Sequence, residues 1–399
     1  MTQSLAIARN TLLQTARQPI YGIIVLGTLG GLALAPSLTG WTLDDDNKLL
    51  RDIGLSTLLI QGLFLACFAA STAIDAEIED KTVLTVAAKP ISRSVFIFGK
   101  YLGILAALAT AHYLAGIAFY MALRHGVLQT AADKSDVTVL VFGVGTMVVV
   151  AIAATVLNYL FEWRFLPTVI ALAVPLLGLG AGILLIVDRD WKIAAYETTQ
   201  AIEDLPRTCQ DPDVFRGIID FRPGEGESHI EGHLGELVHG DWHGPISIDE
   251  QEYLLGLHDS VSWRRVINLL VDETRKRQGT EIAKAALLTF VAVALLAAVA
   301  VACATRLGLF STLLVCLLVL FVGLCADNVL KPAADEGNRI AAVAYRVIPN
   351  FQFFWMVDAL SETRVIPWAY FRAAAGYGVL YSAAALALAM SLFQTREVG

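Results

Sequence analysis

The chain has 399 residues and a net charge of −8; 56% of its residues are hydrophobic and only 17% are charged. Soluble domains carry roughly 25% charged residues, so this composition indicates a membrane protein. The segment 188–282 holds twenty acidic and ten basic residues, so the acidity belongs to that segment. The sequence has no basic groove pattern for nucleic acid. Its five cysteines form no CxxC or zinc-binding spacing, and we expect no cofactor.

Eight apolar runs predict an all-α polytopic membrane protein, because each run is near the roughly 20 residues that a helix needs to cross a bilayer. The runs are 20–38, 53–74, 96–123, 137–161, 165–187, 283–305, 308–325 and 368–393. A cleaved signal peptide is the alternative for the first run, because Ala33-Leu34-Ala35 resembles a cleavage site. Pro36 follows this site directly and disfavours cleavage.

Residues 1–19 precede the first run and predict a cytoplasmic amphipathic helix that lies along the membrane. Pro19 ends this helix. Its apolar face consists of Leu5, Ala8, Leu12 and Ala16, which recur at helical spacing.

Orientation follows from the lysines and arginines of the short loops, since these mark the cytoplasmic side. The predicted inside segments are 1–19, 75–95, 162–165, 305–307 and 394–399, and the outside segments are 39–52, 124–136, 188–282 and 326–364. Arg264, Arg265 and the basic run 275–277 argue against this orientation, but the rule weakens for loops longer than about 60 residues. We therefore expect a multi-pass protein of the cell (inner) membrane, with membrane parts 20–187 and 283–399.

The segment 188–282 predicts a small extracytoplasmic α+β domain. Turn signals separate short apolar patches in its middle, which is typical of strands, and its end, about 260–282, has a helical pattern. Two HxxxH pairs, His229 with His233 and His239 with His243, have the donor chemistry of a zinc or copper site. Glycines between these histidines break the helix that would align them, which favours a solvated loop, and no metal is assigned.

The polar stretch 75–95 lies between the second and third apolar runs. Its charges exclude it from hydrocarbon, so it is predicted to be a short cytoplasmic element. A short apolar helix at 83–88, ended by Pro90, would dock into a groove of a cytoplasmic partner. Ser92 or Ser94 is predicted to cap the next helix. An ordinary cytoplasmic loop is the alternative.

Several motifs together resemble one family. The segments 77–84 (Glu-Ile-Glu-Asp-Lys-Thr-Val-Leu), 88–93 (Ala-Lys-Pro-Ile-Ser-Arg) and 98–103 (Phe-Gly-Lys-Tyr-Leu-Gly) are followed by 303–308, 348–352 and 393–397. In this order they resemble the permease subunits of type-2 (exporter-type) ABC transporters. The resemblance covers nearly the whole membrane part, and the order of the motifs carries it.

The resemblance implies an ATPase-coupling segment at 75–95 and a gate-like extracellular segment at 326–364. The implied coupling residues are Glu77, Glu79, Asp80, Lys81, Val83, Leu84, Lys89, Pro90 and Arg93; the implied gate residues are Pro349, Asn350, Phe351, Phe354 and Trp355. The sequence has no GxxxxGK[ST] motif, so ATP hydrolysis would come from a separate ATPase subunit. The implied transporter is a homodimer, or a heterodimer with a second permease, in the lipid bilayer.

Four points stay open at this stage. Family members usually have six spans, and the extra pair here is most simply the fifth and sixth. The aromatic run 351–355 is either an anchor at the outer interface or the lining of a gate. His112, the one strongly polar residue well inside an apolar run, is expected to form a helix–helix hydrogen bond. The alternative functions are a non-transporting membrane scaffold of an envelope or motility complex and, ranked last, an intramembrane enzyme.

Overall fold

A computed structural model describes residues 2–39, 46–79, 92–126, 135–187, 191, 261–361 and 366–394. Its regular elements are all helices. The first part contains α1 (Thr2–Ala16), α2 (Pro19–Thr39), α3 (Asp46–Glu79), α4 (Arg93–His125), α5 (Val137–Leu140), α6 (Thr146–Phe161) and α7 (Phe165–Leu184). The second part contains α8 (Val261–Ala304), α9 (Leu309–Leu324), α10 (Lys331–Asp335), α11 (Arg339–Val347), α12 (Val357–Ser361) and α13 (Trp368–Gln394).

Three short irregular helices interrupt this order. A π-helical turn, Val141–Gly145, joins α5 to α6, and a second, Ala326–Leu330, joins α9 to α10. A 3-10 helix, Phe351–Phe354, lies between α11 and α12. The irregular backbone of the second part therefore falls within the predicted gate-like segment.

Eight helical stretches among the described residues are long and apolar enough to cross a membrane. Seven of them coincide with predicted runs, which confirms the all-α polytopic membrane protein. The eighth is the broken stretch Arg339–Leu360, whereas the predicted run 308–325 is α9, which bends by 60° into Ala326–Asp335. The eight stretches agree with the prediction in number but not in identity, because 308–325 enters a bent pair, which would make a ninth span if the pair crosses the membrane as one.

The longest helix is α8, with 44 residues. At 1.5 Å per residue it is about 66 Å long, roughly twice the hydrocarbon thickness, so its first part must project from the membrane. This confirms the predicted helix at the end of the 188–282 segment. The predicted strands of that segment lie outside the described residues, and its described end is helical, so the α+β assignment has no support.

Helix α8 is also the centre of the bundle, where it packs against α3, α4, α9 and α13. In its apolar window 61% of the residues are buried, compared with 22% for the stretch Val137–Phe161. A row of small buried alanines lets neighbouring backbones approach closely: Ala285, Ala292, Ala297, Ala298, Ala300 and Ala304. The least buried neighbouring pair is the fourth and fifth spans, while the expected extra pair, the fifth and sixth, stays a prediction.

Helix α1 packs against the first half of α4. Gly99 and Gly103 form a GxxxG pair, and a Cβ on Gly103 would lie 2.5 Å from the backbone oxygen of Ala8. Of the predicted apolar face, Ala8 is buried, whereas Leu5 is 70% exposed, as a lipid-facing side chain is. The shallow glycine groove accepts small side chains, and Thr11 lies against Gly103.

Hydrogen bonds from polar side chains join α4 to its neighbours. Tyr21 donates to the carbonyl of Ala107 at 2.8 Å, and Tyr101 donates to that of Ala294 at 3.2 Å. His112 Nε2 lies 2.8 Å from the carbonyl oxygen of Ala286, so this nitrogen carries the proton. The predicted helix–helix hydrogen bond of His112 is confirmed.

The bundle has two ends. We call the end that carries Arg93, Arg306 and Gln394 the inner end, since contacts join these residues. The opposite, outer end carries Arg124 and Glu281. This end borders three of the predicted inside segments, 75–95, 305–307 and 394–399, as the predicted orientation requires. That this end faces the cytoplasm stays a prediction.

Candidate functional site

The predicted coupling stretch is framed by two long helices at the inner end. The backbone of Glu77 and Glu79 forms the last turn of α3, and Arg93 is the first residue of α4. The remaining predicted coupling residues, Asp80, Lys81, Val83, Leu84, Lys89 and Pro90, lie outside the described residues, as does the predicted helix at 83–88. Both framing helices pack in the buried core of the bundle.

Ser92 caps the start of α4. Its side-chain oxygen accepts a hydrogen bond from the backbone N–H of Val95 at 3.3 Å, and its own backbone is extended. A serine in this position satisfies one of the unpaired N–H groups of the first helical turn. The predicted serine cap is thereby confirmed at Ser92. It makes Arg93 the first residue of α4.

Arg93 contacts the C-terminal end of the last helix. Its Nη1 donates to the backbone oxygens of Gln394 at 2.9 Å and Phe393 at 3.3 Å. These carbonyls belong to the last described turn of α13. A cation there is also favoured by the helix dipole. The sequence placed Arg93 among the ATPase-coupling residues and missed this contact within the chain.

Arg306 also contacts the C-terminal end of α13. Its Nη2 donates to the backbone oxygen of Leu392 at 2.9 Å. The rings of Phe96 and Phe393 stack with centroids 5.7 Å apart, next to these charged contacts. The start of α4, the turn after α8 and the end of α13 therefore meet in one cluster, which we call the inner clasp: Arg93, Phe96, Arg306 and residues 392–394.

The predicted gate-like segment is largely buried against the bundle. Pro349, Asn350, Phe351 and Phe354 are buried, and Trp355 is half-buried. Asn350 begins the 3-10 helix, with its side-chain oxygen accepting from the N–H of Gln352 at 2.9 Å. Phe351 and Phe354 are at most 2% exposed, so these two rings are not interface anchors, whereas Phe353 is 36% exposed and stays open to that interpretation.

Three tyrosines of α13 bind the backbone of this segment. Tyr377 accepts from the N–H of Asn350 at 2.8 Å. Tyr370 donates to the carbonyl of Phe353 at 2.9 Å, and Tyr381 donates to that of Arg346 at 3.0 Å. Non-helical backbone at membrane depth needs partners of this kind, because hydrocarbon offers none. We call these contacts the tyrosine ladder.

The bend after α9 is held by two further side-chain contacts. Gln352 donates to the carbonyl of Leu324 at 2.6 Å, and Tyr345 donates to Asp327 at 2.8 Å. Both contacts reach the place where the chain turns by 60°. The broken stretch therefore folds back on α9.

An ion pair at the outer end clamps the residue that follows this segment. Lys284 lies 2.6 Å from Glu281, and their side chains are 8% and 15% exposed. Glu281 accepts from the N–H of Ile366 at 2.8 Å, while Lys284 donates to its carbonyl at 3.0 Å. Lys284 also lies over the ring of Trp368 at 4.9 Å. The projecting helix α8 is thus fastened to the start of α13.

One buried polar residue escaped the sequence reasoning. Gln61 lies within the second apolar run, is 4% exposed, and has neither its amide nitrogen nor its oxygen paired. Its signal was plain, since a glutamine inside such a run is unusual, but His112 alone was singled out. Among the described residues, no group of three or more His, Cys, Asp or Glu side chains is placed to hold a metal ion. The histidines at 229–243 lie outside them.

No protein family, curated protein or solved structure matches the chain. The interpretation therefore depends on the order of the motifs and on the geometry of the inner clasp, the tyrosine ladder and the gate-like segment.

Proposed function

We propose that the chain is the permease subunit of an ATP-driven exporter of the type-2 ABC class. It receives force at the cytoplasmic stretch 75–95 from a separate ATPase. The observation that carries this proposal is the arrangement of the chain, with a polar stretch framed by α3 and α4 at one end and a bent segment, 326–361, folded back at the other.

The gate-like segment supports a role in opening a path. It consists of short helices with bends between them. Tyrosine side chains form hydrogen bonds with backbone N–H and C=O groups that a continuous helix would pair within itself. Such a segment changes shape by exchanging a few contacts, whereas a continuous helix must move as a whole. We assign Pro349, Asn350, Phe351, Phe354 and Trp355 to this gate.

The bundle has exposed apolar faces that can contact either the lipid of the bilayer or a second permease. Helix α6 exposes Val149 and Ile152, and α9 exposes Phe310 and Leu314. One six-span core forms half of a transport path, so the proposed exporter contains two copies, or one copy with a related permease, in the cell (inner) membrane. The chain itself has no P-loop and hydrolyses no ATP in this proposal.

The test is a charge reversal in the coupling stretch. Glu79→Lys combined with Val83→Asp removes an acidic contact and the apolar docking face together, so we expect a tagged permease to lose its co-purifying ATPase. The permease should stay in the membrane at wild-type level. Mass spectrometry identifies the partner by its P-loop.

The matched control is Glu336→Lys, an exposed charge reversal in the gate-like segment. It should leave the complex intact. An unchanged complex in the coupling variant contradicts the assignment of 75–95. A complex whose ATPase is not stimulated by the reconstituted permease instead favours the non-transporting scaffold.

A further inference from the structure

Helix α13 is held at both ends by side chains of other elements. The inner clasp binds the carbonyls of residues 392–394, and the tyrosine ladder binds the backbone of 346–353. The same helix therefore touches the segment where force is proposed to enter and the segment proposed to open.

The stretch of α13 between the two attachments is continuous. It is a single α-helix from Trp368 to Gln394 with no proline inside. Tyr377 and Gln394 are about 26 Å apart along the axis, at 1.5 Å per residue. A helix of this length that packs along α8 moves as one body, so a shift at its inner end arrives at the ladder.

The inner attachment is suited to transmit movement. Arg93 and Arg306 are both exposed, and both donate to carbonyls at the end of α13. Arg93 belongs to the coupling stretch 75–95 and is the first residue of α4, while Arg306 lies in the turn after α8. A displaced coupling stretch therefore pulls on α13 through Arg93, while Arg306 connects the same helix end to the central helix.

We infer that Arg93 and Arg306 are positioning residues that fasten α13, and that α13 carries movement of the coupling stretch to the gate-like segment. The inference deepens the proposed function and rests on it for its biological meaning. Physically, it states that a change at the inner clasp alters the contacts of the tyrosine ladder. This coupling does not require the ATPase, so it can be measured in the isolated permease.

The first experiment uses the full chain without any ATPase. A single cysteine replaces Val343, which is 62% exposed on α11, after the five native cysteines have been replaced. The measured quantity is its labelling rate with a maleimide in proteoliposomes. Arg93→Ala with Arg306→Ala should change this rate by about 2- to 30-fold, the range for residues that carry coupling between sites.

A double-mutant cycle separates transmission from general loosening. Tyr377→Phe removes the acceptor for the N–H of Asn350, so it should change the rate within the same range. If both changes break the same chain of contacts, the arginine variants should cause no further change in the labelling rate once Tyr377 has been replaced by Phe. An unchanged rate in the arginine variants, or effects that simply multiply, overturns the inference.

Two controls guard against a structural artefact. Arg164→Ala removes an exposed arginine between α6 and α7, at the inner end but away from the clasp, and should leave the rate unchanged. Arg93→Lys keeps the charge and one donor direction, so it should restore much of the wild-type rate. If the double variant does not fold, Arg93→Ala alone replaces it in the cycle.

The second experiment adds the co-purified ATPase. In the wild-type complex, ATP should change the labelling rate at position 343, and the double arginine variant should lose this response while the ATPase stays bound. A retained response overturns the inference. If no ATPase binds the wild type, the proposed function fails, yet the labelling of the permease alone still decides whether α13 couples the two ends.

Discussion

The central helices and the peripheral pair are built from equally apolar sequence but are held in different ways. Helices α3, α4 and α8 interlock through small residues and interhelical hydrogen bonds, as at Tyr101 and His112. The pair formed by α5–α6 and α7 buries little, and α6 exposes Val149 and Ile152 by more than half. Hydrophobicity brings a helix into the membrane, but the size of its side chains decides whether other helices can surround it.

The peripheral pair is tied to the core at the outer end by a charged cluster. Arg124 of α4 lies 3.3 Å from Asp136, and their side chains are 11% and 0% exposed. Arg124 also donates to the carbonyls of Leu184 and Val187 at the end of α7. Asp136 in turn caps α5 by accepting from the N–H of Thr138. One arginine thus joins three helices that the apolar contacts join only loosely.

The largest expected effect comes from removing that arginine. Arg124→Ala removes the cation that pairs with the buried carboxylate of Asp136, and breaking a buried pair in this way costs about 3–5 kcal/mol. We expect a large drop in the melting temperature of the detergent-solubilised protein. Arg124→Ala with Asp136→Asn should recover part of this loss. A melting temperature within 1 °C of wild type would show that the cluster does not hold the pair.

The next effect tests the packing of the centre. A Cβ on Gly62 of α3 would lie 2.2 Å from a methyl group of Val293 on α8, so Gly62→Val forces the two helices apart. Overpacking of this kind costs about 1–3 kcal/mol. The matched control is Gly182→Val in the peripheral helix α7, where nothing lies within 4 Å of the added atom. Equal destabilisation of both variants, measured by thermal unfolding, would contradict the division into centre and periphery.

The smallest effect has the opposite sign. Glu162 ends α6 in the left-handed conformation, with φ 58° and ψ 24°, which favours glycine. Glu162→Gly should stabilise the protein by less than about 1 kcal/mol, because relief of strain is partly offset by chain entropy. Glu162→Ala removes the charge but keeps the strain, so it should not stabilise. If Glu162→Ala also stabilised the protein, the cause would be loss of the charge and not relief of backbone strain.

Local patterns predicted most of the elements. The length of the apolar runs predicted seven of the spans, the serine before Arg93 predicted a cap, and a lone histidine in an apolar run predicted a helix–helix hydrogen bond. Each of these follows from residues close together in the sequence, where periodicity and capping act. The same reasoning overlooked Gln61, although its position in an apolar run was visible.

The sequence by itself determined that the chain crosses the membrane several times and where its polar stretches lie, because burial of apolar runs in hydrocarbon depends only on their length and composition. Only the tertiary structure decided that α8 is central, that Arg93 binds the end of α13, and that the segment after α9 folds back. These features join residues up to 301 positions apart. Such contacts depend on the shapes of helix surfaces, which periodicity does not encode.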